Sequence, residues 1–135
     1  GIPDNKERRI APRYEDKIQV DLVLPDETIL PVEICSISNR GLQLTCDGWL
    51  ADEIEPQGIQ QLAMSRKKLK ISANLPFENI SKNIIVHSTV VAVRRLAQDQ
   101  FLIGLEFEKI EGEGEEILEA YLEQLRLDAS SSTLN

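Results

Sequence analysis

The chain has 135 residues, a net charge of −8, and apolar and charged fractions of 41% and 28%. That length suits one domain around one core, and the acidic balance opposes non-specific binding to DNA, RNA or anionic lipid. No stretch approaches the roughly 18–20 apolar residues of a membrane span. Two cysteines and one histidine make neither a disulfide framework nor a zinc site, so the reading is a cytoplasmic protein with no direct membrane insertion.

Residues 1–16 are polar, contain Pro3 and Pro12 and show no periodicity, which predicts a flexible N-terminal arm. Residues 1–17 hold five Lys/Arg against four Asp/Glu, so the acidity lies further on, much of it between Glu106 and Asp128. Ile18, Val20, Leu22 and Leu24 then alternate with Lys17, Gln19 and Asp21, the period-2 mark of a half-buried strand. Pro25-Asp26-Glu27 is a turn. A second strand, from about Ile29 to Ser36, puts Leu30, Val32 and Ile34 on one face. Asn39-Arg40-Gly41 makes a tight connection in which Gly41 can take a positive φ if the bend requires it. Leu42, Leu44 and Cys46 alternate in a third strand.

Asp47-Gly48 is a turn, and Trp49 to Leu62, broken by Pro56 and Gly58, predicts a loop or a short helical turn. Leu69, Ile71, Ala73 and Leu75 form a fourth strand, and Pro76 to Lys82 a connection. Asn83 to Arg95 is rich in β-branched residues, which favours a fifth strand. Ala97 to Gln100 turns the chain into a sixth, with Phe101, Ile103, Leu105 and Phe107 on one face. Beyond the acidic Glu111–Gly114 stretch, Ile117, Leu118, Tyr121, Leu122 and Leu125 recur at helical spacing, with Glu115, Glu116 and Glu119 near the N-terminus, where negative charge is favourable.

Six short antiparallel strands in one small domain manage their edges best by closing on themselves. The predicted fold is all-β: a six-stranded antiparallel β-barrel with a C-terminal α-helix. The predicted division is an arm over 1–16, the barrel over 17–110, the helix over 111–127 and a disordered tail over 128–135.

Two segments carry a chemical signal. Arg8-Arg9-Ile10-Ala11-Pro12-Arg13 places an Arg9-xxx-Arg13 pair ahead of the first strand, and Ser36-Ile37-Ser38-Asn39-Arg40-Gly41 sits at the second strand–strand corner. Taken alone, the arginines read as a solvated arm and the serines as turn formers. In this order and strand context they resemble the PilZ domain family, whose pattern is RxxxR before the first strand and (D/N)xSxxG at a later corner. Arg9 and Arg13 match the first motif, and Ser38 and Gly41 the Ser and Gly of the second. Position 36 departs, being Ser where the family has Asp or Asn. The likeness runs over roughly residues 7–125, through the closing Ile103–Phe107 strand and the helix.

The resemblance implies a PilZ-like, split-barrel type fold that binds cyclic di-GMP and signals to a downstream protein or covalently linked domain controlling motility, attachment or exopolysaccharide. The implied ligand-binding set is Arg8, Arg9, Arg13, Ser36, Ser38, Asn39 and Gly41. The residue types suit the ligand: arginine meets a phosphate or the O6/N7 edge of guanine with two parallel donors and stacks on purine faces. A carboxylate or amide at 36 could accept from the guanine N1–H and N2–H₂ edge. Serine offers one shorter oxygen, so affinity is expected to drop by ~1–3 kcal/mol. The second reading is a PilZ-like interaction module that binds no nucleotide, which Ser36 favours.

No constellation supports an enzyme, a cofactor or a metal: His87 has no Ser or Cys with a carboxylate at catalytic spacing. Arg66-Lys67-Lys68 with Lys70 reads as a solvated strand edge, not a DNA or RNA patch, given the acidic whole. Cys35 and Cys46 flank the second corner as free thiols or as cross-strand neighbours.

Overall fold

Where apolar side chains alternate, the chain is extended, and every strand pairing is antiparallel. The computed structural model describes Tyr14–Glu15 and residues 18–134. The strands are β1 (Tyr14–Glu15), β2 (Gln19–Val23), β3 (Ile29–Ile37), β4 (Gly41–Cys46), β5 (Lys68–Phe77), β6 (Ile80–Ala97) and β7 (Gln100–Ile110). Six of them close in the order β3-β2-β5-β6-β7-β4, with the β3–β4 pairing completing the ring. Closure satisfies the backbone groups that an open sheet would leave at its edges. The core takes an almost fully buried side chain from each of the six: Leu22, Ile34, Leu44, Ile71, Val86 and Ile103.

Tyr14 and Glu15, within the segment predicted as an arm, form β1. This strand continues the line of β2 along the same edge of β3: Gln19 stands opposite Glu33, Glu15 opposite Ser36 and Tyr14 opposite Ile37. Residues 1–13 lie outside the described residues.

β6 is a single strand of 18 residues, and its register shifts three times, between His87 and Ser88, Val90 and Ala92, and Arg95 and Ala97. Each bulge bends the strand and adds twist. One long strand therefore pairs with β5 through Thr89 and with β7 as far as Ala97. The β5–β6 connection is tighter than the predicted Pro76–Lys82 loop. Phe77 pairs with Ile80 around Glu78 (φ 51°) and Asn79 (φ 72°), the two left-handed residues of a type I′ turn. Pro76 lies inside β5, yet β2 pairs with β5 only over Lys70–Ser72, so its missing N–H interrupts no ladder on that edge.

The segment after Cys46 folds into two short helices, α1 (Gly48–Ile54) and α2 (Gln60–Met64), which bury Ala51, Ile54 and Leu62 against the core. The Asp47 carboxylate caps α1 by accepting the Leu50 N–H at 2.8 Å. Gly48 N–H donates to Asp99 in the β6–β7 turn at 2.8 Å, and the Lys67 ammonium donates to the Ile54 carbonyl at 2.8 Å. The last helix, α3, spans Gly114–Leu134 and packs Ile117, Leu118, Tyr121 and Leu122 against the core. It starts later than the predicted 111 and takes in residues 128–134, predicted as tail. No Gly or Pro follows Gly114 to stop it.

Candidate functional site

The corner between β3 and β4 is a two-residue turn. The Ser38 N–H donates to the Gly41 carbonyl at 2.9 Å, leaving Asn39 and Arg40 exposed between them. The Ser38 hydroxyl accepts the Arg40 N–H at 3.2 Å and lies 3.4 Å from the Gly41 carbonyl, so this fully buried group is satisfied within its own turn.

Gly41 does not take the positive φ that the sequence allowed for; the left-handed residues lie elsewhere. Its requirement is close approach. β4 runs against β7 with Gly41 opposite Glu106. A Cβ at 41 would come within 3.3 Å of the Glu106 Cα and collide with the Leu105 carbonyl oxygen. Beside it, the Phe107 N–H donates to the Arg40 carbonyl at 2.7 Å. The corner is thereby clamped on β7 by backbone alone.

The register of β3 shifts between Ile34 and Ser36: Ile34 faces Leu44, but Ser36 faces Gln43 and Ile37 faces Leu42. The extra residue is Cys35. Without it, alternation from Leu30, Val32 and Ile34 would continue inward at Ser36. With it, Ile37 enters the core beside Leu42, and Ser36 turns to the outer wall. There its hydroxyl donates to the Gln43 Oε1 at 2.8 Å. Ser36 is only 7% exposed, whereas Gln43 is half-buried and stands opposite Gly104 on β7.

Four of the seven predicted site residues, Ser36, Ser38, Asn39 and Gly41, thus occupy one corner. Arg8, Arg9 and Arg13 lie outside the described residues. Gln43 and Arg40 escaped the sequence reading. A two-residue turn already places 36 opposite 43, but which wall they share depends on the bulge.

Elsewhere several charged groups are engaged. His87 Nε2 lies 2.6 Å from Glu111 Oε2, and that hydrogen bond holds the Glu111 carboxyl below its ordinary range. Lys68 donates to both Glu108 oxygens, at 2.8 and 3.0 Å, and Lys67 to Ile54 and Glu55. Two members of the basic run are therefore tied to neighbours on the chain. Cys35 and Cys46 are free thiols; Cys46 pairs with Phe101, and the Ile34–Leu44 and Glu33–Thr45 pairs separate it from Cys35. Burial, with Asp47 and Asp99 nearby, pushes the Cys46 thiol up to about 11. Among the described residues no group of three His, Cys, Asp or Glu side chains could hold a metal, and no helix is long and apolar enough to cross a membrane.

A family model described as the PilZ domain matches residues 7–124. Among solved structures, the Bacillus subtilis inhibitor of motility (MotI/DgrA) aligns with a TM-score of 0.66 at 15% identity, over 90% of this chain and 52% of that one. The Klebsiella pneumoniae MrkH–c-di-GMP complex aligns with a TM-score of 0.61 at 14% identity, over 90% of this chain and 54% of that one. The chain thus spans about half the length of these structures, and the likeness is one of fold. No curated protein matches the sequence.

Proposed function

The chain belongs to the PilZ domain family, and from that premise we propose that it is a cyclic di-GMP receptor domain whose site joins the Arg9/Arg13 segment to the Ser36–Gly41 corner. The observation that carries this reading is the placement of β1. Glu15 and Tyr14 pair with Ser36 and Ile37, so Arg13, the next residue back, starts within one peptide unit of the corner. Arg9 is four residues further, about 14 Å of fully extended chain at most. Both motifs can therefore meet one small ligand, although 24 residues separate Arg13 from Ser38.

Cyclic di-GMP presents two phosphates and two guanines. The arginines meet these as forked donors and stacking planes, while the clamped corner supplies a preformed wall with Asn39 exposed. Ligand orders the arm against the barrel and changes the surface offered to a downstream protein or linked domain, a disorder-to-order switch. The output is control of motility, attachment or exopolysaccharide in the cytoplasm. The domain works by binding a small nucleotide and a protein partner, with no chemistry of its own and no recognition of DNA or RNA. The MotI and MrkH structures, the second a complex with c-di-GMP, support this reading by their fold.

Isothermal calorimetry with pure cyclic di-GMP is the test. Wild type is expected to bind, and Arg9→Ala or Arg13→Ala to lose about 10–100-fold in affinity, as for a charged hydrogen-bond donor of ~1.5–3 kcal/mol. No heat on folded protein, or arginine variants that bind like wild type, would overturn the proposal. One observation favours the alternative of an interaction module without nucleotide: the Ser36 hydroxyl is buried and already hydrogen-bonded within the chain. The same titration separates the two.

A further inference from the structure

We propose that Gln43 is the residue through which this site reads guanine, taking the part that an Asp or Asn at position 36 would play. The inference rests on the cyclic di-GMP reading and deepens it. Position 36 in this chain offers a single hydroxyl, and that hydroxyl donates to the Gln43 Oε1 at 2.8 Å. Ser36 is 7% exposed, too short and too covered to reach a base by itself. Gln43 stands directly opposite it across the β3–β4 ladder, on the same outer wall, half-buried and several bonds longer. Its β7 neighbour is Gly104, so no side chain crowds the amide from that direction.

The hydrogen-bonding capacity fits. An amide oxygen accepts two hydrogen bonds and an amide nitrogen donates two. Ser36 occupies one lone pair of Oε1. Gln43 makes no other side-chain hydrogen bond among the described residues, which leaves the second lone pair and both Nε2–H groups. Guanine carries an acceptor, O6, next to a donor, N1–H. A glutamine amide matches that pair by donating from Nε2 to O6 and accepting N1–H at Oε1. Adenine presents the reverse order, a donor at N6 beside an acceptor at N1. Because the Ser36 hydroxyl donates to Oε1, the amide is held in the orientation that suits guanine. The Ser36–Gln43 pair thus places at the corner an amide such as a single Asn at 36 would supply.

The test uses calorimetry with cyclic di-GMP and cyclic di-AMP on the whole chain. Gln43→Ala is expected to weaken cyclic di-GMP binding about tenfold and to narrow the preference over cyclic di-AMP, as for the loss of a base-edge pair. Gln43→Met keeps the length and packing of the side chain but removes the amide donors and acceptor, so it separates recognition from support of the hairpin: binding and preference should again fall. Ser36→Asp added to Gln43→Ala should restore the preference. If wild type binds and both Gln43 variants keep its affinity and preference, this inference fails while the receptor reading stands. If wild type binds neither ligand, both fail.

Discussion

At Cys35 one inserted residue decides which side chains of β3 face the core. Ile37 turns into the core and Ser36 turns out to meet Gln43. Strict alternation would have put the Ser36 hydroxyl among Val32, Ile34 and Leu44, and a buried unsatisfied hydroxyl costs about 1–3 kcal/mol. Gly41 is equally constrained, since a methyl there strikes the Leu105 carbonyl of an immovable neighbouring strand. Gly41→Ala should destabilise the fold by about 1–3 kcal/mol, the usual range for overpacking, seen as a lower urea midpoint. An unchanged midpoint would mean that β4 and β7 separate freely. The thiols differ as well. Burial raises the Cys46 thiol from an ordinary 9.0 to about 11. Its contribution to stability is therefore complete below pH 9 and falls away as the pH rises toward 11. At pH 8 an aromatic disulfide reagent should label Cys35, half-buried at the bulge, and reach Cys46 only on unfolding. Equal rates for both would contradict this.

Among the elements, α1 shows how little local sequence holds a short helix. Seven residues are too few to be stable alone, and α1 persists because Asp47 caps it, Asp99 accepts from Gly48 and Lys67 ties its last carbonyl, that of Ile54. Asp47→Ala should cost about 1 kcal/mol and lower the melting temperature by about 3–5 °C. No change in a thermal melt would place the stability of α1 in its packing alone. The legibility of the elements follows the same logic. The alternations of β2, β4, β5 and β7, and the spacing of Ile117, Leu118, Tyr121 and Leu122, were readable because each records one buried face. The reach of β6 through three bulges was not, because a bulge answers to the strands on either side. The Glu78-Asn79 turn was missed because Pro76 looked like a break.

For the molecule as a whole, the closed barrel has its core filled by side chains, so the candidate site lies on the outer wall at one corner. Binding there couples to stability by mass action. At a ligand concentration 100 times the Kd, cyclic di-GMP should add about 2.7 kcal/mol, seen as a higher melting temperature. The Arg9→Ala/Arg13→Ala protein should melt like wild type without ligand and lose most of that rise. A full rise in the double variant would remove the arm from the site. By itself the sequence determined the six-stranded barrel, the helix and the corner at Ser36–Gly41, because apolar periodicity and turn residues are local records of burial and backbone geometry. Only the tertiary structure decided that Gly41 is needed for close approach to β7, that β1 sets Glu15 opposite Ser36, and that Ser36 and Gln43 share the outer wall. Each of these depends on where a distant strand passes or on one bulge that flips the faces of a ladder, and neither leaves a mark in local periodicity.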